Sequence, residues 1–254
     1  VLGELCQRAT AGHYRPELAQ WLRDVTNQSM PEALQDPHGR LLDQHIVMLR
    51  HSHRFDQVSG IGQLAMAVNA GDVHAIEQVL SQDHADVIEH RLSCVEDEQL
   101  ESVVLGPLQH TAGPQGLAHY LQIMHTDRPE PSADITHWNH WAQRVLTAHG
   151  RFQLLCAHDD STPIHWMLPS RLNSVDTVYA LTVHKSQGSE FEHCALLLPP
   201  ERSSVITREL IYTGITRGKS WFSLVSIGHH RLLQEASQHT VQRSGGLFDH
   251  VNPD

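Results

Sequence analysis

From Arg151 onward the apolar residues of this chain stop recurring at helical spacing. They gather instead into four short runs, 152–157, 178–183, 195–198 and 221–227, each bounded by Gly, Pro or polar clusters. A run that is apolar throughout, rather than at every second position, belongs to a strand covered on both faces, which is the habit of parallel sheets. Parallel neighbours need long crossover connections, and the segments between these runs leave room for helices. The expected fold class is therefore α/β, a parallel sheet with helices on both faces.

Upstream of Arg151 the spacing differs. Residues 1–40 hold a short helical stretch (Leu18, Trp21, Leu22, Val25) and a polar turn region at 35–40, and they read as a connector. The run 46–49 suits a buried strand that leads into His51 and His53. Ser59 can then cap a helix in which Ile61, Leu64, Ala65 and Val68 share one face, with Gly71 placed to stop it. Residues 73–150 keep a helical pattern, clearest in Trp138, Trp141, Ala142, Val145 and Leu146 before Gly150, so this block is expected to be helical packing. Residues 243–254 read as a frayed tail.

Composition narrows the setting. No run approaches the ~18 consecutive apolar residues of a membrane helix, so no membrane partner is expected. Cys6, Cys94, Cys156 and Cys194 form no C-x-x-C pair, which suits reduced thiols in a cytoplasmic protein. The formal charge of -11 argues against a generally basic nucleic-acid coat, although a motor can hold a strand in a local basic groove. Pairs among the 22 histidines, such as His137 and His140, meet no second ligand pair at zinc-like spacing, and no metal site is expected. The start at Val1 has neither an initiator Met nor a secretory pattern, and the chain is expected to be cut from a longer one.

Two stretches carry chemistry. In Thr182-Val-His-Lys-Ser-Gln-Gly-Ser-Glu-Phe191 a strand gives way to small polar residues, as ligand loops do at the carboxyl ends of parallel strands. Thr182, Ser186 and Ser189 offer hydroxyls, Lys185 a point charge, Gly188 close backbone approach and Glu190 an acceptor for a ribose hydroxyl. The plainer reading is a turn shaped by Gly and Ser with a solvated Lys. In the second stretch, Glu209-Leu-Ile-Tyr-Thr-Gly-Ile-Thr-Arg217, Thr207 can cap a helix with Glu209, Thr213 and Arg217 along one face and Ile211 and Ile215 opposite. An arginine at such a helix end can reach a γ-phosphate, or it can be a surface residue in a weak ion pair. Arg54 has the same two readings, anion sensor or polar strand exit.

Taken together these segments resemble the conserved motifs of superfamily 1 DNA helicases. Ser52-His-Arg-Phe55 with Ser59-Gly-Ile-Gly-Gln-Leu-Ala65 resembles motif IV, Thr182 to Phe191 motif V, and Glu209 to Arg217 motif VI. The wording of these motifs, with Arg151-Phe-Gln-Leu-Leu-Cys-Ala157 and Pro169-Ser-Arg-Leu172, is closest to the RecD-like members, the exodeoxyribonuclease V alpha subunits. The resemblance implies a RecA-like second motor domain over 41–254, with a helical block at about 81–150, preceded over 1–40 by the end of a first RecA-like domain. It implies that Arg54 and Arg217 are catalytic, meeting the γ-phosphate, and that Gly188, Glu190 and Tyr212 lie near the nucleotide. It also sets Thr182, His184, Lys185, Ser186 and Thr213 against DNA. The activity implied is ATP-dependent 5′ to 3′ translocation on single-stranded DNA, with ATP and Mg²⁺ as cofactors and the other subunits of a RecBCD-type repair nuclease as partners.

Two departures qualify the resemblance. No G-x-x-x-x-G-K-[ST] loop, acidic Mg²⁺ motif or glutamine-bearing motif of a first motor domain occurs in these residues, so the chain alone is expected not to hydrolyse ATP. Between Ala157 and Pro169 the family carries a longer segment with a small β-barrel, so a barrel insertion is expected to be missing at about 158–168. A stand-alone RecD-like helicase and a non-catalytic module for single-stranded DNA or a partner subunit are the alternatives.

Overall fold

A computed structural model describes residue 6 and residues 8–48, 59–107, 113–157 and 179–240. The chain divides into two compact units, Val1–His53 with Gln242–Asp254, and Arg54–Val241.

In the first unit, Pro16 opens helix α1 (Pro16–Thr26), where its missing N–H costs nothing, and Asn27 ends it in the left-handed region at φ 57°. Tyr14 is buried, pairs with Gln35 in an isolated bridge and donates its hydroxyl to the Ile46 carbonyl at 2.9 Å. Arg8 reaches the buried Asp43 carboxylate at 3.1 Å. The strand expected at 46–49 does not form over its described residues. A short 3-10 turn, Leu42–His45, precedes Ile46, and Val47 is 72% exposed, so the described part of this run does not bury a strand face.

The second unit is the α/β layer that the apolar runs predict. Helices α2 (Gly60–Ala70), α3 (Val73–Ser81), α4 (Glu98–Leu105), α5 (Leu117–Thr126), α6 (Ile135–His149), α7 (Arg208–Ile215) and α8 (Leu232–Ser237) surround five strands. The strands are β1 (Val87–Leu92), β2 (Phe152–Cys156), β3 (Ala180–Thr182), β4 (Phe191–Leu198) and β5 (Gly218–Ile227). Their order is β1-β5-β4-β2-β3 and every pairing is parallel. One correction concerns β1, which lies inside the block expected to be helical. Its sequence, Val-Ile-Glu-His-Arg-Leu, is half-polar, and it forms because β5 provides a partner edge in full register from Val87–Phe222 to Leu92–Ile227.

Alternation along the strands supplies both faces with core. Cys194, Leu196 and Leu198 of β4 and Phe222 and Leu224 of β5 pack with Ile61, Leu64, Ile76, Ile211 and Leu233 of the helices on one face. Ala195 of β4 and Val225 and Ile227 of β5 pack with Leu92, Val103, Leu117 and Phe152 on the other. Ser59 caps α2 by accepting from the Gly62 N–H, Gly71 ends it at φ 69°, and Gly150 follows α6, as their positions in the sequence predict.

Candidate functional site

Register decides where the polar residues stand. Thr182 is level with Cys156 of β2, which is level with Leu197 of β4, whereas Phe191 opens β4 beside Gly218. The six strand steps from Phe191 to Leu197 span roughly 20 Å at about 3.3 Å each. Residues 183–190 therefore carry the chain from the carboxyl edge of the sheet back to its amino edge. The expectation of a loop confined to the carboxyl edge is corrected accordingly, because a parallel connection must return the chain to its starting edge.

The first half of this crossover is fixed by burial. Val183 is 1% exposed and its N–H donates to the Cys156 carbonyl at 3.2 Å. Three residues on, Ser186 is fully buried, and its hydroxyl donates to the Val183 carbonyl at 2.7 Å while its N–H donates to Thr182 at 3.2 Å. The i, i+3 spacing of these inward residues leaves His184 and Lys185 outward beside Thr182, whose hydroxyl accepts from the Lys185 N–H at 3.3 Å. Ser186, which the resemblance placed against DNA, is thus part of the turn's interior. A hydroxyl bonded beneath the surface closes the turn and offers nothing to a strand.

Gly188 lies at φ 85°, a conformation side chains rarely adopt, and no atom stands within 4 Å of where a Cβ would be. Glycine is required here by the backbone, and the space above it stays open to a ligand. The Ser189 N–H then closes onto Ser186 at 3.0 Å.

At the amino edge the two chemical stretches meet. Helix α7 is capped by Thr207, which accepts from the Leu210 N–H at 3.3 Å, and it buries Leu210, Ile211, Gly214 and Ile215. A Cβ on Gly214 would sit 3.1 Å from Leu196, so glycine lets the helix settle closely on β4. The helix ends at Ile215, so Arg217 occupies the turn into β5 rather than the helical face shared by Glu209 and Thr213. Its guanidinium turns back, donating through Nε to the Thr213 carbonyl at 3.1 Å and through Nη1 to the Ser189 carbonyl at 2.9 Å. Its own carbonyl accepts from the Phe191 N–H at 2.9 Å. Beside it Glu190 pairs with Lys219 at 2.6 Å, both side chains almost half exposed.

Two helix residues divide. The Tyr212 side chain is 39% exposed, while the Thr213 hydroxyl donates to the Glu209 carbonyl within α7 at 2.7 Å. That bond commits the Thr213 proton to its own helix and weakens its assignment to DNA. Arg54, with the whole of Ser52 to Phe55, lies outside the described residues.

Two supporting residues carry little signal in the sequence. Arg208, next to the Thr207 cap, donates to the Ser237 carbonyl of α8 at 2.6 Å and to the Asn69 carbonyl of α2 at 3.4 Å, tying three helix ends together. His193, near the start of β4, is 3% exposed, and its Nδ1 lies 2.5 Å from the Gln115 carbonyl and its Nε2 2.9 Å from the Ser223 hydroxyl. Burial pushes its pKa down to about 4, outweighing the Gln115 contact that favours the charged ring. The one available clue was a histidine within an apolar strand.

The arrangement can bind polyanions at two places. Arg217 presents delocalised positive charge next to the open backbone of Gly188 and the carboxylate of Glu190, a donor and acceptor set that suits phosphate and sugar. Thr182, His184 and Lys185 offer a hydroxyl, an imidazole and an ammonium at the other edge, a set that suits a phosphodiester backbone.

A family described as UvrD-like helicase C-terminal domain matches residues 177–225, which include the crossover, α7 and most of β5. The RecBCD enzyme subunit RecD of Mycolicibacterium smegmatis is 28% identical over 251 residues, covering 82% of this chain and 44% of that protein. The RecD subunit of Mycobacterium tuberculosis is 30% identical over 257 residues, covering 81% and 42%. That of Haemophilus influenzae is 38% identical over 81 residues, or 32% of this chain and 12% of the relative. The chain thus spans less than half the length of the longer-matching relatives.

Proposed function

From the premise that this chain is RecD-like, with the C-terminal domain of a superfamily 1 DNA helicase, we propose that it supplies the second RecA-like motor domain of an ATP-dependent helicase that moves 5′ to 3′ on single-stranded DNA. Residues 1–40 then belong to the end of a first motor domain, and the whole works within a RecBCD-type nuclease. The supporting observation is the guanidinium of Arg217 bridging the Ser189 and Thr213 carbonyls. That bridge ties the crossover, whose other end carries Thr182 and Lys185, to the helix behind the arginine. A change of charge at the amino edge therefore pulls on the same eight-residue segment whose far end faces the DNA, residues 183–190.

ATP with Mg²⁺ would supply the phosphoanhydride whose cleavage drives the cycle. Toward it this chain contributes Arg217 for the γ-phosphate, Glu190 as an acceptor for the sugar, the backbone at Gly188, and Tyr212 as a partly exposed ring on α7. Toward the strand it contributes Thr182, His184 and Lys185, contacts that are sequence-tolerant and salt-sensitive. The phosphate-binding loop is not among these residues, so the chain alone is expected to turn over no ATP. Substituting Arg217→Ala in the full-length protein tests the reading: DNA-stimulated ATP hydrolysis should fall on the order of 10³. Unchanged turnover removes Arg217 from the reaction.

The same lack of a phosphate-binding loop favours one second reading, a non-catalytic module that holds DNA or a partner subunit. Mixing the chain with a first motor domain separates the two. Restored ATPase activity contradicts a purely binding role, and DNA binding without any turnover supports it.

A further inference from the structure

Helix α7 leads into Arg217, and its two ends are held by different forces. Ile211 and Ile215 are fully buried in the core shared with β4 and α2, but apolar contacts are non-directional and fix the distance of a helix from the sheet better than its place along its own axis. Directed bonds gather at the start of the helix. The N–H of Arg208, the first residue of α7, donates to the His239 carbonyl at 2.8 Å, which answers one of the amide donors that a helix start leaves unpaired. From the same residue the guanidinium donates through Nε to the Ser237 carbonyl at 2.6 Å and through Nη1 to the Asn69 carbonyl at 3.4 Å. Both acceptors belong to the last turns of their helices, α8 and α2, where carbonyls lack a partner within the helix and the helix dipole is negative. One cation thus serves two helix ends.

The surroundings are shaped for that cation. A Cβ on Gly71 would stand 2.4 Å from Nη2 and 3.0 Å from Cζ of Arg208, so the residue that ends α2 in the left-handed region also leaves room for the guanidinium. Gln238 adds a side-chain bond to the Gly71 carbonyl, joining the ends of α8 and α2 directly. Helix α2 is a firm base for this clamp, because at its start the Gly60 and Ile61 N–H groups donate to the Asp86 carboxylate at 3.0 and 3.1 Å, and the Asp86 carbonyl accepts from Phe222 of β5 at 2.8 Å. A continuous line of directed bonds runs from the sheet through α2 to Arg208. We propose that Arg208 is a positioning residue for Arg217: by fixing the first turn of α7 to the ends of α2 and α8, it sets where the other end of the helix presents its guanidinium. The eight residues of α7 span about 12 Å, so the influence passes along the helix rather than through a shared ligand. A misplacement of about 1 Å at a group that must meet one phosphate costs on the order of 10² in rate. The proposal rests on the role given to Arg217 above.

The test is a double-mutant cycle in the full-length protein, read as DNA-stimulated ATP hydrolysis over a range of ATP concentrations, with the melting of each variant measured alongside. Arg208→Gln should lower kcat on the order of 10² while KM for ATP stays within about twofold, since the contact weakened is one made in the transition state. Arg208→Lys keeps a cation at the two helix ends without the planar fork that bonds both carbonyls, and it should recover about tenfold of that loss. In the Arg217→Ala background the Arg208→Gln change should cost nothing further in kcat, because no guanidinium is left to position. A merely structural role predicts the opposite, a loss that follows the melting temperature and multiplies with that of Arg217→Ala. Full kcat in Arg208→Gln, or an equal loss in both backgrounds, overturns the proposal. Failure of both Arg208 variants to fold makes the residue part of the scaffold alone and overturns it too. Unchanged turnover in Arg217→Ala removes the motor role on which the proposal stands, whereas a loss on the order of 10³ there beside an intact Arg208→Gln removes the positioning alone.

Discussion

The two ends of the crossover are built differently. At the amino edge Arg217, Ser189, Thr213 and Phe191 are joined by directed hydrogen bonds, and β4 is pinned two residues further on by His193. At the carboxyl edge Thr182, His184 and Lys185 sit on a turn whose inward residues are packed and whose outward residues face solvent. A group that must meet one geometry is held from several sides, whereas a group that must follow a moving, sequence-varied strand needs only charge and reach. On the proposed function, the first edge is suited to the nucleotide and the second to the strand.

The sharpest way to break it is Arg217→Ala, where the expected 10³ loss of turnover corresponds to about 4 kcal/mol. Arg217→Lys should recover little, because a single ammonium cannot hold two carbonyls and still present spread charge. Equal turnover in either variant would erase the distinction between the edges. A smaller effect concerns the anchoring of β4. His193 titrates near 4 when folded and near 6.5 when unfolded, so the unfolded chain binds the extra proton between those values. Its contribution is present above pH 6.5 and lost as the pH falls toward 4, about 3 kcal/mol in all. His193→Gln should flatten that dependence in urea titrations, and a variant as acid-sensitive as the parent refutes the assignment.

Ser186→Ala separates the inside of the turn from its outside. It should lower stability by about 1 kcal/mol and leave strand affinity unchanged. Weakened binding with unaltered melting would return Ser186 to the DNA. Lys185→Ala should do the opposite, leaving melting alone and reducing the salt slope of strand binding by about 0.7. Smallest of all, Glu190→Gln should shift stability by less than about 0.5 kcal/mol, since its partner Lys219 is similarly solvated. A larger shift would mean that the amino edge depends on this pair as well as on Arg217.

Much of the fold was legible. Four apolar runs marked four of the five strands, and Ser59, Gly71, Thr207 and Gly150 marked helix ends through capping and backbone preferences that act within a few residues. β1 was hidden because a half-polar edge strand depends on the partner it finds. Over its described residues the run at 46–49 misled, because apolar character fixes a strand only where a surface is available to bury it. Of the site, residue types and their order were readable, including Arg217, Glu190 and Lys185.

The sequence by itself determined the α/β class, the local caps and the chemical inventory of the two stretches, since these follow from hydrophobic period and from interactions between near neighbours. Tertiary structure alone decided that Ser186 turns inward, that Arg217 grips Ser189 twenty-eight residues away, and that one connection spans both edges of the sheet. Those outcomes depend on strand order and register, and register is set by contacts between segments that no local pattern records.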